Sequence, residues 1–308
     1  MLKQKTDVVI IGAGPSGLTA GLYCGRWGAN VLILERQFHG GQIGKAYRIE
    51  NYPGFPEGIT GFELAEKMFE SAKKAGCDIR YEEAQEITQG EEYGVCTQDG
   101  IYETKAIVIA TGLKPKLLNV PGEERFAGRG VSYCATCDGP FFKGKDVVVI
   151  GGGNRALTDA SYLSSINCRV MLIHRREQYR ASPDVIKQFE LSGVKTFLGY
   201  IIEQITGEQN VEEIVIKSAH AGKIMRLKTD AVFIHIGTEP QTKKFSFLKL
   251  DEDGYIITDK NFQTSAEGIF ACGDVRSGSF KQAISACGEG AEAGWNAVSY
   301  YKGQKIKE

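Results

Sequence analysis

The most constraining feature of the sequence is a glycine-rich turn that occurs twice, each time after an apolar run and before a segment of small residues. The first turn is GAGPSG at 12–17 and the second is GGGNRA at 151–156. β-Branched apolar runs that stop at glycine are typical of buried parallel strands. The predicted strands on either side of the two turns are Thr6–Ile11, Asn30–Leu34, Asp146–Ile150 and Arg169–Ile173. This duplication predicts an α/β protein with two similar domains.

The first turn has the sequence context of a dinucleotide site. Its glycines allow the backbone to approach a pyrophosphate, and the N–H groups and dipole of the following helix stabilise the negative charge. Glu35 lies 23 residues after Gly12, at the end of the second strand, where a carboxylate accepts hydrogen bonds from the ribose hydroxyls of an adenosine. We therefore predict a Rossmann-like, three-layer domain that binds a dinucleotide such as FAD.

The second turn differs from the first at the equivalent position. His174 lies 23 residues after Gly151, and it is followed by Arg175 and Arg176, with Arg180 about one helical turn beyond. Replacing the carboxylate with positive charge favours a ribose 2′-phosphate, and hence NADPH. The alternative is a solvated basic turn without a ligand.

Two further strands mark the crossings between the domains. Lys105–Ala110 leads through Thr111 and Gly112 to a proline, and Asp230–Ile236 leads through Gly237 to another. Prolines suit short, semi-rigid crossings. We predict that the second domain, 115–243, is inserted into the first, 1–114 plus 244–308. Alternation over 199–229 predicts a small antiparallel layer.

The pair Cys134 and Cys137 carries the predicted chemistry. Two cysteines at this spacing form a reversible disulfide, in which one thiolate attacks and the other resolves. Asp138 follows directly and can transfer the proton that exchange requires. Half of a zinc site and an inert pair are the alternatives, but the sequence has no second Cys-x-x-Cys or Cys-x-x-His to complete a metal site.

Composition excludes several other classes of protein. The formal net charge is −1, which favours neither nucleic acid nor an anionic membrane as a partner. No apolar run approaches the ~20 residues that span a bilayer. Eight cysteines with scattered spacing and no export signal predict reduced thiols in the cytoplasm.

Six short motifs, in order and across nearly the whole chain, resemble those of the low-molecular-weight thioredoxin reductases. They are GGQI at Gly40–Ile43, ENYPG at Glu50–Gly54, ATG at Ala110–Gly112, CATCDG at Cys134–Gly139, HRR at His174–Arg176 and GIFACGDV at Gly268–Val275.

The resemblance implies specific site residues. Those implied for FAD are Gly12, Gly14, Gly17, Glu35, Arg36, Gly41, Gln42, Asn51, Ala84, Thr111, Gly112, Gly273, Asp274, Lys281, Gln282 and Ala283. Those implied for NADPH are Gly151, Gly153, Asn154, Arg155, Ala156, His174, Arg175, Arg176 and Arg180. Cys137 is expected to face the flavin, Cys134 to attack the partner's disulfide, and Asp138 to act as the acid.

The resemblance also implies a reaction and partners. Electrons would pass from NADPH through FAD and the cysteine pair to thioredoxin, or to a thioredoxin- or glutaredoxin-like protein. A homodimer, a rotating inserted domain, and a thioredoxin-docking turn at 128–130 are further expectations.

Some residues depart from the family pattern. Arg155 stands where a small hydroxyl residue is usual, Thr158-Asp159 replaces an acidic pair, and Lys281 replaces an arginine. Arg155 could either contact the pyrophosphate or hinder its close approach. The alternatives are therefore a related reductase that uses a deazaflavin or ferredoxin, or a non-catalytic flavoprotein that senses NADP.

Overall fold

A computed structural model describes residues 2–46, 49 and 51–304, so Glu50 of the ENYPG motif lies outside the described residues. The chain divides into two compact units: unit 1 is 1–114 with 239–308, and unit 2 is 115–238. Both are α/β, as predicted from the duplicated turn. Within the described ranges, no helix is long and apolar enough to cross a bilayer.

The helices and strands follow in chain order. The first part of unit 1 contains β1 (Leu2–Lys5), β2 (Val8–Ile11), α1 (Pro15–Arg26), β3 (Val31–Leu34), α2 (Gly61–Lys74), β4 (Asp78–Arg80), β5 (Glu86–Thr88), β6 (Tyr93–Cys96), β7 (Gly100–Thr104), β8 (Ala106–Ile109) and β9 (Leu113–Pro115). Unit 2 contains β10 (Val131–Ser132), α3 (Ala135–Asp138), β11 (Asp146–Ile150), α4 (Asn154–Ser165), β12 (Arg169–His174), α5 (Pro183–Leu191), β13 (Lys195–Leu198), β14 (Tyr200–Thr206), β15 (Glu213–Ser218), β16 (Ile224–Lys228) and β17 (Ala231–Ile234). The chain then returns through β18 (Thr238–Pro240), β19 (Ile269–Ala271) and α6 (Ala283–Tyr301).

Unit 1 is built on a parallel sheet of order β19-β8-β2-β3-β4. Because β2 is buried on both faces, its side chains alternate between two cores: Val8 and Ile10 pack with α1 and α6, while Val9 and Ile11 pack on the opposite face. That face is covered by a second sheet, β1-β7-β6-β5.

Unit 2 repeats this plan with the parallel order β10-β17-β11-β12-β13. Val147 and Val149 of β11 pack with the helices, whereas Val148 and Ile150 pack towards the antiparallel layer β14-β15-β16. This layer confirms the prediction for 199–229. The two crossing segments, β9 and β18, pair with each other.

Helices α1 and α6 pack closely because glycines face the α1 backbone. A Cβ on Gly290 would lie 2.2 Å from the Ser16 carbonyl oxygen, and one on Gly294 would lie 2.6 Å from that of Ala20. Gly288 lies in the same helix, but a Cβ there would meet nothing within 4 Å.

This difference gives a matched pair of variants. Gly290→Ala should lower the free energy of unfolding by about 1–3 kcal/mol, because the added methyl group forces the two helices apart. Gly288→Ala should leave it unchanged or raise it by up to about 1 kcal/mol, since alanine favours the helix. Urea denaturation of both variants measures this, and equal destabilisation would contradict the packing argument.

Candidate redox and nucleotide sites

The redox segment begins where the edge strand of unit 2 ends. β10 ends at Ser132, and Cys134 and Cys137 then form a disulfide across the single turn α3, with their Cα atoms 5.4 Å apart. The second glycine turn follows β11, a strand of the same parallel sheet. Since parallel strands end at one edge of a sheet, the disulfide and the glycine turn share that edge.

The two sulfur atoms have different surroundings. Cys134 is buried and Cys137 is exposed. Cys134 Sγ accepts a hydrogen bond from the Cys137 N–H at 3.2 Å, and it lies 3.4 Å from Thr136 Oγ1. A sulfur that accepts hydrogen bonds is better able to carry negative charge, so this environment favours the thiolate of Cys134 after reduction.

Ser132 connects the acid to the disulfide. Its hydroxyl donates to Asp138 Oδ2 at 2.6 Å and accepts from the Cys134 N–H at 3.0 Å. Ser132 is buried, so this contact fixes the carboxylate relative to the redox pair. Ser132 was not predicted from the sequence, because a serine two residues before a cysteine is not a recognised motif.

A buried carboxylate holds the residue before Cys134. Glu123 accepts from the backbone N–H groups of Leu118 and Asn119 at 2.9 and 2.7 Å, and from the Tyr133 hydroxyl at 2.8 Å. Burial and this hydrogen bond to Glu123 raise the pKa of Tyr133. Tyr133 therefore stays neutral and donates. Neither residue was predicted.

The second glycine turn leaves its helix end free to bind an anion. A Cβ on Gly151 would lie 2.3 Å from the His235 carbonyl oxygen, so this turn requires glycine, whereas one on Gly153 would meet nothing within 4 Å. The N-cap residue of α4 is Gly153, which has no side chain that could cap the helix. Asn154 Oδ1 instead accepts from the Ser182 N–H at 2.7 Å, and Ala156 is buried.

The predicted basic group separates into a buried histidine and three exposed arginines. His174 is 6% exposed, its ring packs against Gly152, and its Nε2 lies 3.1 Å from the Gln178 carbonyl oxygen. Burial and the charges of the neighbouring arginines lower the pKa of His174, so it is neutral at physiological pH. It shapes the turn, while Arg175, Arg176 and Arg180 are exposed, as are Glu177 and Gln178 between them.

The first glycine turn has the same close packing in unit 1. A Cβ on Gly12 would lie 2.4 Å from the Ala110 carbonyl oxygen, and one on Gly17 would lie 1.9 Å from that of Gly12. Glu35 Oε2 accepts from the Ala13 N–H at 2.9 Å. The N-cap residue of α1 is Gly14, which likewise has no side chain, and a Cβ on Gly41 would lie 3.2 Å from the Gly14 Cα atom.

The remaining residues predicted for FAD also lie in unit 1. Gln42 donates to the Leu113 carbonyl at 3.1 Å, and Thr111 donates to that of Gln241 at 3.0 Å. Asn51 Nδ2 donates to Gln282 Oε1 at 3.0 Å, next to Ala283 at the start of α6. A Cβ on Gly112 would meet nothing within 4 Å. Ala84 is buried and Arg36 is exposed.

The turn after β19 places a carboxylate beside α6. The Gly273 N–H donates to Glu289 Oε2 at 2.8 Å. Burial, together with the negative charge of Glu289, raises the pKa of Asp274. Lys281 Nζ donates to the Tyr255 hydroxyl at 2.7 Å.

The residues present fit both cofactors. In each unit a helix whose N-cap residue is glycine provides N–H donors for a pyrophosphate. Glu35 in unit 1 can accept hydrogen bonds from ribose hydroxyls. The exposed arginines in unit 2 can bind a negatively charged 2′-phosphate.

Comparison with known proteins agrees with this geometry. Residues 6–290 match the family model described as pyridine nucleotide-disulphide oxidoreductase. The chain belongs to this family. Thioredoxin reductase from Treponema pallidum is 42% identical over 97% of this chain and 98% of its own, and that from Bacillus subtilis is 41% identical over 96% and 94%. The crystal structure of Lactococcus lactis thioredoxin reductase superposes with a TM-score of 0.89 at 38% identity, covering 97% of this chain and 99% of that one.

These matches confirm the resemblance to low-molecular-weight thioredoxin reductases and the prediction of two Rossmann-type domains. This member of the pyridine nucleotide-disulphide oxidoreductase family is an oxidoreductase, and FAD and NADPH are the family's cofactors, as predicted.

The buried cysteines outside the pair should react slowly in the folded protein. Burial raises the pKa of Cys77 and of Cys272 to about 12, whereas Cys96 is only partly buried. We expect iodoacetamide at pH 8 to label Cys96 at least about tenfold faster than either buried thiol, because the thiolate is the nucleophile. Peptide mass spectrometry before and after unfolding measures this. Equal native rates would show that burial does not protect the buried thiols.

Proposed function

We propose that the protein transfers electrons from NADPH, through FAD and the Cys134–Cys137 disulfide, to the disulfide of thioredoxin or a similar small redox protein. The observation that carries the proposal is the disulfide itself, which lies at the same sheet edge as the glycine turn of unit 2. The thioredoxin reductase names of the relatives support the same partner.

Each of the two units is proposed to bind one cofactor. We assign FAD to unit 1 and NADPH to unit 2, and the predicted domain limits, 1–114 with 244–308 and 115–243, remain predictions. When bound, FAD would supply the two-electron chemistry between the nicotinamide and the disulfide. The predicted residues of unit 1 would bind and orient it.

We propose Cys134 as the nucleophile towards the partner, a role for which this buried sulfur must become accessible. After reduction, the Cys137 N–H would remain as a donor to the Cys134 thiolate, which attacks one sulfur of the partner's disulfide and releases the other. Cys137 then attacks the mixed disulfide, which re-forms the Cys134–Cys137 bond and completes the two-electron transfer. Asp138, held by Ser132, would give a proton to the departing thiolate.

We also propose a partner, a cellular location and an oligomeric state for the protein. Thioredoxin is the first candidate substrate. Reduced thiols among the six cysteines outside the pair support a cytoplasmic location, and we propose a homodimer by analogy with the family.

An anaerobic titration tests electron entry. NADPH should bleach the flavin absorbance of the purified protein, and Cys134→Ser should remain yellow but lose turnover of thioredoxin disulfide by at least about a thousandfold, since no thiolate can attack. Cys96→Ser is the control and should turn over normally. A flavin that ferredoxin reduces and NADPH does not would overturn the donor assignment.

The exposed arginines predict the choice of nicotinamide. Arg176→Ala should raise KM for NADPH by about tenfold or more, because an arginine–phosphate hydrogen bond contributes roughly 1.5–3 kcal/mol. KM for NADH should change less than about twofold. Steady-state kinetics with both nucleotides measures the difference.

Arg169→Ala is the charge-matched control for that comparison, since Arg169 pairs with Asp146 near the start of β11. Equal changes in the two KM values for Arg176→Ala would contradict a 2′-phosphate contact.

A further inference from the structure

Arg155 extends from α4, the helix that follows the second glycine turn, towards the residues next to Cys134. It is the second residue of α4, its side chain is 45% exposed, and its Nη2 donates to the Tyr133 carbonyl oxygen at 3.3 Å. A Cβ on Gly153 would meet nothing within 4 Å, so the arginine side chain does not fill the space beside this glycine.

A partly buried carboxylate lies beside the arginine, and a buried histidine lies beside that carboxylate. Asp159 lies one turn along α4, with Oδ2 3.7 Å from Arg155 Nε. The same oxygen is 2.9 Å from His235 Nε2, whose side chain is only 2% exposed. The two atoms are close but do not have the alignment of a hydrogen bond. His235 follows β17, so the group is anchored at the sheet edge.

A continuous set of contacts then leads from Arg155 to the acid. The peptide between Tyr133 and Cys134 accepts from Arg155 at its oxygen and donates to Ser132 Oγ at its nitrogen. Ser132 in turn donates to Asp138. Hydrogen bonds in series polarise one another, so a cation at one end strengthens the contacts at the other.

We propose that Arg155 is a positioning residue for the redox pair, acting on Cys134 through the Tyr133 carbonyl, in addition to any contact with a nucleotide. This inference rests on the proposed function, because it assigns a role within the same disulfide chemistry. The fixed positive charge favours the thiolate of Cys134 and therefore the reduced form of the pair.

The redox equilibrium without nucleotide tests the proposal. Dithiothreitol breaks the Cys134–Cys137 bond and forms its own internal disulfide, passing two electrons and two protons to the cysteines. Arg155→Ala should lower the equilibrium constant for this exchange by about three- to tenfold, since a nearby cation stabilises a thiolate. The holoprotein is equilibrated anaerobically in mixtures of reduced and oxidised dithiothreitol, then acid-quenched and alkylated.

The readout is specific to the pair. Trypsin releases residues 130–143 as one peptide, whose only cysteines are Cys134 and Cys137, so mass spectrometry gives the reduced fraction directly. In a Cys137→Ser background, the pH dependence of Cys134 alkylation should also shift upward when Arg155 is replaced. A purely structural role would change neither quantity.

Two control variants distinguish a local effect of Arg155 on the redox pair from a general loss of positive charge or of stability. Arg226→Ala removes a more exposed positive charge, paired with Glu213 in the antiparallel layer, and should match wild type. Arg155→Lys keeps the charge and should fall between wild type and Arg155→Ala.

An Arg155→Ala equilibrium constant within twofold of wild type would overturn the inference. Failure of NADPH to reduce the flavin, with the Arg155 shift still present, would instead count against the donor assignment alone.

Discussion

The fold of both units depends on one close contact between backbone atoms. The first glycine of each turn lies so near a carbonyl at the end of a neighbouring strand that a side chain cannot fit: Gly12 against Ala110, and Gly151 against His235. Each of these glycines has positive φ, which other residues adopt with strain. The contact brings a helix N-terminus to the carboxyl edge of the parallel sheet, where its N–H groups can meet a phosphate.

The same edge then serves different chemistry in each unit. In unit 1, β19 is followed by Gly273 and Asp274 beside α6, a position suited to holding a cofactor. In unit 2, the strand at the corresponding end of the sheet, β10, is followed by the redox cysteines. A duplicated scaffold thus provides two nucleotide turns, of which one is combined with a disulfide.

Much of this architecture could be predicted from the sequence, because buried parallel strands are continuous apolar runs. Asp146–Ile150 was predicted at its observed limits. The sheet that contains β1 could not be, because Leu2–Lys5 pairs with Gly100–Thr104 far along the chain. Ser132, Glu123 and His235 were likewise missed, since their roles come from what they touch and no spacing marks them. His174 was found by its motif, but its packing beneath Gly152 depends on tertiary structure.

The burial of five of the six remaining cysteines limits unwanted disulfide exchange within the protein. Cys24, Cys77, Cys168, Cys272 and Cys287 are all enclosed, and for Cys24, Cys77, Cys168 and Cys272 burial raises the pKa. A catalyst that exchanges sulfur–sulfur bonds risks scrambling its own. Because these five thiols are enclosed, they are kept apart from the disulfide exchange that we propose for Cys134 and Cys137.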